Sequence, residues 1–237
     1  MLLNHYHDNL IEAGCDEAGR GCLAGSVFAA AVILPSDYVN ADIDDSKKLT
    51  PAKRYRLRQE IIDDALAWAV GIVSPEEIDR INILNASILA MHRALDGLQL
   101  CPEAVIVDGN RFKPYHTPTP SDRALLSRRQ PPFISDSIIA EESRTDQLPH
   151  ITIVKGDARY LNIAAAAILA KTFRDDYMDG LDREYPLYDW KRNKGYPTPA
   201  HRRAIEAHGT TPYHRLSFNL LPTRQPTFDF GETDNSE

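Results

Sequence analysis

Two hydrophobic rhythms alternate along the chain. The first is short and strand-like. Val27–Leu34 (VFAAAVIL) is a continuous apolar run that stops at Pro35, the pattern of a strand buried on both faces. Trp68–Ser74, Ala104–Val107 and Ile151–Val154 are similar, and Ala13–Glu17 is a further short strand that ends at Gly19-Arg20-Gly21. The second rhythm is helical. Thr50-Pro51 reads as a helix cap followed by proline at the first helical position, with the helix running to about Ala65. Ser74-Pro75-Glu76-Glu77 opens another. Ile78, Ile81, Leu84, Ile88 and Met91 then recur at helical spacing to about Leu98. Asn162–Asp179 is an alanine-rich helix and Pro199–His208 a short one.

This alternation predicts an α/β fold. The first two strands are close enough for a hairpin or meander, whereas the later ones need helical crossovers, so the expected sheet is mixed. Residues 1–221 are expected to form a single domain, with a small helical C-terminal part over about 185–221. Lys113–Pro149 breaks both rhythms. It holds Pro114, Pro118, Pro120, Pro131, Pro132 and Pro149, and reads as a long surface insertion between two strands. The acidic tail 222–237 is expected to be disordered.

Composition changes the picture in one respect. The chain has 237 residues, 43% of them hydrophobic, enough for a core without disulfide or metal staples. Its net charge of -7 argues at first against a nucleic-acid partner. The charge is uneven, however. Asp229–Glu237 carries four acids and no base, while Lys191–Arg203 carries five bases and no acid. Clustered acids that hold divalent ions would also lower net charge without repelling a polyanion. Cys15, Cys22 and Cys101 have no metal-ligand spacing and suit a reducing compartment. The polar start is unlike a secretory signal, and no apolar run reaches membrane-spanning length. A cytoplasmic location is expected.

The candidate chemistry lies in carboxylates. Three strand candidates end in acids: Asp16-Glu17, Asp108 and Asp157. In open α/β sheets functional groups collect beyond strand ends. Four converging carboxylates need cations, and hard oxygen donors suit Mg²⁺ or Mn²⁺ rather than zinc. Two such ions would clamp both oxygens of a phosphodiester undergoing displacement. Each acid also has a plain structural reading. Asp157 is placed to cap the following helix. Asp16 and Glu17 are neighbours and serve one site only if the strand ends or bends there.

Six segments in order resemble the ribonuclease HII (type 2 ribonuclease H) family: GCDEAGRGCLAG at Gly14–Gly25, DSKKL at Asp45–Leu49, IVDGN at Ile106–Asn110, VKGDARYLNIAAAAILAKTFRD at Val154–Asp175, NKGYPT at Asn193–Thr198 and HRLSF at His214–Phe218. The resemblance implies an RNase H-like fold with a helical C-terminal part. It implies hydrolysis of RNA in RNA–DNA hybrids and at ribonucleotides embedded in duplex DNA, leaving 3′-hydroxyl and 5′-phosphate ends. The family's metal acids fall on Asp16, Glu17, Asp108 and Asp157. Its ribose-sensing tripeptide falls on Gly19, Arg20 and Gly21, and its sugar-stacking tyrosine on Tyr196. Lys47 and Lys171 suit phosphate contacts, and Arg192, Lys194, Arg202 and Arg203 are candidates for tracking the DNA backbone. Lys48 reads as a solvated lysine. His214 lies in the last of these segments, which makes it a candidate for a structural or substrate role. The sequence departs from the family at Cys22, usually proline, and at Ala164 and Ala167, usually serine. Two alternatives stand beside this one: another RNase H-like nuclease, and a hybrid-binding module without catalysis. Nothing suggests an obligate interface, so a monomer is expected.

Overall fold

The computed structural model describes residues 2–119, 133–135 and 144–221. The tail 222–237 and most of the 113–149 segment lie outside the described residues.

The strands are β1 (Glu12–Ala18), β2 (Val27–Ile33), β3 (Ala67–Val73), β4 (Ala104–Asp108), β5 (His116–Pro118), β6 (Phe133–Ile134), β7 (Arg144–Gln147) and β8 (His150–Ile153). The helices are α1 (Pro51–Asp64), α2 (Pro75–Ile81), α3 (Ile83–Asp96), α4 (Leu161–Glu184), α5 (Trp190–Asn193) and α6 (Pro199–His208). Six strands form one sheet in the order β6–β3–β2–β1–β4–β8. β1, β2 and β3 pair antiparallel, while β4 adds parallel to β1 and β8 parallel to β4. The mixed sheet expected from the pattern is therefore present. β5 and β7 form a separate antiparallel pair.

The apolar run of β2 is continuous because both its faces are covered. Val27, Ala29, Ala31 and Ile33 join the core on the α3 side, with Ala90, Met91 and Ala94. Phe28, Ala30 and Val32 join the opposite core, with Leu57 and Ile61 of α1 and Leu161, Ala165, Ile168 and Leu169 of α4. Alanine on the sheet lets the helices sit close. Gly71 on β3 takes this furthest: a Cβ there would lie 1.9 Å from the Ala90 carbonyl oxygen and 2.7 Å from the Ala94 nitrogen.

Helix starts follow their caps. Thr50 accepts from the Lys53 amide, and Ser74 and Glu77 form a reciprocal capping box. The single helix expected from Ser74 to Leu98 is two. Asn82 takes φ 65°, ends α2, and caps α3 by accepting from the Leu84 and Asn85 amides. A side chain that caps a new helix competes with the backbone of the old one, and hydrophobic spacing alone does not register that.

The described ends of the 113–149 segment are more ordered than a plain loop. β6 pairs with β3, and Ile134 and Leu148 are buried. Tyr115 is buried and donates to Asp96 at 2.7 Å. A third apolar cluster unites Leu23 and Ala24 with Met178 and Leu181 of α4 and with Tyr188, Trp190 and Ile205 from the C-terminal helices. Among the described residues no helix is long and apolar enough to cross a membrane.

Candidate active site

Three neighbouring strands deliver the acids. The β1–β4 pairing ends at Cys15↔Val107, so Asp16, inside β1, and Asp108, the last residue of β4, follow side by side where the two strands part. β8 runs parallel to β4 with Asp108 opposite Ile153, and the chain then turns through Lys155, at φ 57°, into Gly156–Ala158. The Gly156 amide donates to Asp108 Oδ1 at 2.7 Å, which locks the turn carrying Asp157 onto β4. Asp157 does not cap α4. That helix starts three residues after the turn, at Leu161, and Tyr160 is its cap residue with no side-chain cap bond.

β1 stays paired to β2 as far as Ala18↔Phe28, so the strand does not end at Asp16. Asp16 and Glu17 nevertheless line one cleft of about 270 Å³, together with Gly19, Arg20, Gly21, Lys47, Asp108, Lys171 and Tyr196. Asp157 stands beside it, joined through Lys47, whose Nζ lies 3.2 Å from Asp157 Oδ2. The four acids are thus gathered at one end of the sheet with Gly19–Gly21, Lys47, Lys171 and Tyr196, whereas the expected backbone-tracking bases Arg192, Lys194, Arg202 and Arg203 do not line the cleft.

The electrostatics are those of crowded carboxylates. Burial raises the Asp16 pKa well above the usual range, and the charges of Glu17, Asp108 and Asp157 add to it. Glu17 is raised by burial and partly relieved by Arg20, whose Nη1 lies 3.1 Å from Oε1. Asp157 is raised by burial and then by Asp108, with Lys47 opposing. Among the described residues no three acidic, imidazole or thiol groups are already drawn into a closed cation cage. Lys47 and Arg20 provide the positive charge instead. The donors are all carboxylate oxygens, a set that fits hard divalent cations. Lys47 is 79% exposed and so is easily displaced.

The other expected residues divide. Lys171 reaches Asp175 at 2.7 Å, with its Nζ 5.9 Å from the centre of the Tyr196 ring, which is 41% exposed at the cleft. Lys48 pairs with Asp44 on the surface. Lys194 is bound to Asp179, and Arg202 donates to the Asn219 and Leu220 carbonyls, so both are committed within the fold, whereas Arg192 and Arg203 are exposed. His214 is buried against Tyr188 and Trp190. Ala167 lines the cleft, Ala164 packs in the core, and the buried Cys22 sends its thiol to the Lys194 carbonyl at 3.5 Å. Sequence reading missed Arg54 and Ser46 in the cleft wall. Arg54 donates to the Ser46 and Leu49 carbonyls and so shapes the DSKKL loop. Its position one turn into the helix that follows that motif was the available signal.

The sequence model for Ribonuclease HII matches residues 13–221. The chain belongs to the ribonuclease HII family. It is 58% identical over 223 residues to the Ribonuclease HII of Phocaeicola vulgatus, covering 94% of this chain and 96% of that one. It is 56% identical over 230 residues to that of Bacteroides thetaiotaomicron, covering 97% and 100%. Among solved structures, the ribonuclease H2 of Pyrococcus horikoshii OT3 superposes with a TM-score of 0.67 at 25% identity, over 88% of this chain and 94% of that one. The mixed sheet with flanking helices is thus the ribonuclease HII fold.

Proposed function

We infer that this chain is a metal-dependent endoribonuclease. It hydrolyses the RNA strand of RNA–DNA hybrids and nicks duplex DNA at embedded ribonucleotides, leaving 3′-hydroxyl and 5′-phosphate ends. The observation that carries this reading is the convergence of Asp16, Glu17 and Asp108 on one cleft with Gly19–Gly21, Lys171 and Tyr196.

In this reading Asp16, Glu17, Asp108 and Asp157 hold two Mg²⁺ or Mn²⁺ ions. When bound, such ions supply a nucleophile at neutral pH and stabilise charge on the scissile phosphate. The chain's own residues do the rest. Gly156 fixes the Asp108 carboxylate through its amide. Gly19-Arg20-Gly21 brings backbone close to the ribose 2′-hydroxyl, the group that distinguishes RNA from DNA. Tyr196 offers its exposed ring to the adjoining sugar, and Lys47 and Lys171 meet phosphates. Four acids in place speak against a non-catalytic module. The three free cysteines suit a reducing cytoplasm. The protein acts as a monomer on nucleic acid, away from membranes.

The test is a DNA duplex carrying one ribonucleotide. Nicking beside it, dependent on Mg²⁺ or Mn²⁺ and reduced by orders of magnitude in Asp108→Asn with substrate binding retained, is the expected result. Equal cutting of all-DNA duplex, or undiminished cutting by the variant, refutes the reading.

A further inference from the structure

Two arginines are buried under the cleft, and among the described residues no acid lies within ion-pair distance of either, although the Asp79 charge acts on Arg215 from further off. Arg174 on α4 and Arg215 in the closing segment are both 0% exposed. Among the described residues neither forms an ion pair, and all their hydrogen bonds go to backbone carbonyls. Arg174 donates from Nε to Ser26 at 3.0 Å, from Nη1 to Lys194 at 2.9 Å and from Nη2 to Ala24 at 3.2 Å. Arg215 donates from Nε and Nη2 to Gly25 at 2.9 and 2.7 Å, and from Nη1 to Arg20 at 3.0 Å. Burial pushes the Arg215 pKa down to about 10, so it stays charged at neutral pH. Keeping two unpaired charges inside a protein is costly.

The carbonyls show what that cost secures. Arg20, Ala24, Gly25 and Ser26 belong to the turn between β1 and β2, and Lys194 precedes Gly195 and Tyr196. These turns face each other directly. Leu23 donates its amide to the Gly195 carbonyl at 2.8 Å, and a Cβ on Gly195, at φ 81°, would lie 2.5 Å from the Ala24 oxygen. A Cβ on Gly19 would strike Arg174 Nε at 2.0 Å. A planar fork with five donors satisfies carbonyls on separate segments at once, which a lysine cannot do.

We propose that Arg174 and Arg215 are positioning residues with divided tasks: Arg215 fixes the Gly19–Gly21 turn within its own loop by joining Arg20 to Gly25, and Arg174 ties that loop to Lys194 beside the Gly195–Tyr196 turn, so that both turns meet the same nucleotide. This rests on the reading above that these two turns face the ribonucleotide. Neither arginine touches substrate. Each acts on the alignment of the sugar–phosphate, where an error of about 1 Å costs on the order of 100-fold in rate.

The experiment measures kcat and KM of R174K and R215K on duplex DNA with one ribonucleotide, using active-site titration and a Mn²⁺ binding isotherm. Expected is a fall in kcat of about 10- to 100-fold, with KM and the Mn²⁺ isotherm close to those of the unmodified protein. Folded lysine variants with unchanged kcat per active site overturn the proposal, because a purely structural role lowers only the active fraction. Should neither lysine variant fold, Gly195→Ala decides. It keeps both arginines and presses on the Ala24 carbonyl: the same kcat loss supports the proposal, and unchanged kinetics overturn it. If the unmodified protein cuts all-DNA duplex equally well, the failure lies in the assignment of the turns to ribose.

Discussion

Replacing Asp108 by asparagine should make the metal-free protein more stable while it abolishes cutting. Asp108 Oδ1 accepts from the Gly156 amide at 2.7 Å, and the asparagine oxygen preserves that bond and the turn behind it. What changes is charge. Asp108 is among the groups that push up the pKa of Asp16, Glu17 and Asp157. Like charges a few ångströms apart near a protein surface repel by about 1–4 kcal/mol. Any proton the cluster takes up relieves part of that, so the lower half of the range, about 1–2 kcal/mol, is what the substitution should recover. For a chain of this size that raises Tm by about 2–8 °C. The assay is a circular-dichroism melt in EDTA near pH 7.5, repeated across a Mn²⁺ titration. In EDTA the variant melts higher. As Mn²⁺ is added the unmodified protein gains more and the gap closes or reverses, because ligand binding stabilises the folded state in proportion to affinity. An Asp108→Asn protein that melts lower in EDTA, or gains as much from Mn²⁺ as the unmodified protein, refutes the idea that Asp108 belongs to a repulsive, ion-binding cluster.

Other outcomes follow from single contacts. Gly71→Ala puts a methyl 1.9 Å from the Ala90 oxygen and should destabilise by about 3 kcal/mol or more, read in a urea melt. Lys47→Ala leaves the buried Asp157 carboxylate beside Asp108 without its cation, so stability should fall by about 1 kcal/mol or more; KM for the duplex carrying one ribonucleotide should also rise several-fold. Burial and the neighbouring His201 charge hold His214 down to about pKa 4, and its Nδ1 accepts from the Thr211 amide at 2.9 Å. Its folded pKa lies below its unfolded value of about 6.5, so the unfolded chain binds more protons in between. Stability from this residue is present above about pH 6.5 and drains as pH falls toward 4. Urea melts at intervals from pH 7 to 4 should show a slope that is lessened in His214→Phe.

The frame was legible in the sequence where one physical cause dominated. β2 gave itself away because a strand covered on both faces has no polar positions to break the run. The caps at Thr50 and Ser74 are local chemistry and emerged intact. The acids could be placed because each follows an apolar run, and their gathering at one sheet end follows from parallel pairing of β1, β4 and β8. What stayed hidden depends on distant partners. Nothing local separates Arg174 or Arg215, wholly buried, from the exposed Arg192. Lys194 and Arg202 looked free in the basic stretch, yet their partners lie 15 or more positions away. Asn82 broke a helix whose apolar spacing continues straight through it.

α4 sets a rule for insertions and deletions in this chain. Along one uninterrupted helix it packs against β1 near its start, presents Lys171 to the cleft, seats Arg174 beneath the turns and carries Met178 and Leu181 into the C-terminal cluster. One added residue anywhere before Lys171 would rotate everything after it by about 100° and advance it by about 1.5 Å. All of those contacts would be lost at once, so the length of this helix is fixed far more tightly than its composition. Between β5 and β7 the situation differs. Pro118 pairs with Arg144, and between them Phe133–Ile134 must still reach β3, so what is fixed there is the place of three short strands and not the phase of a helix.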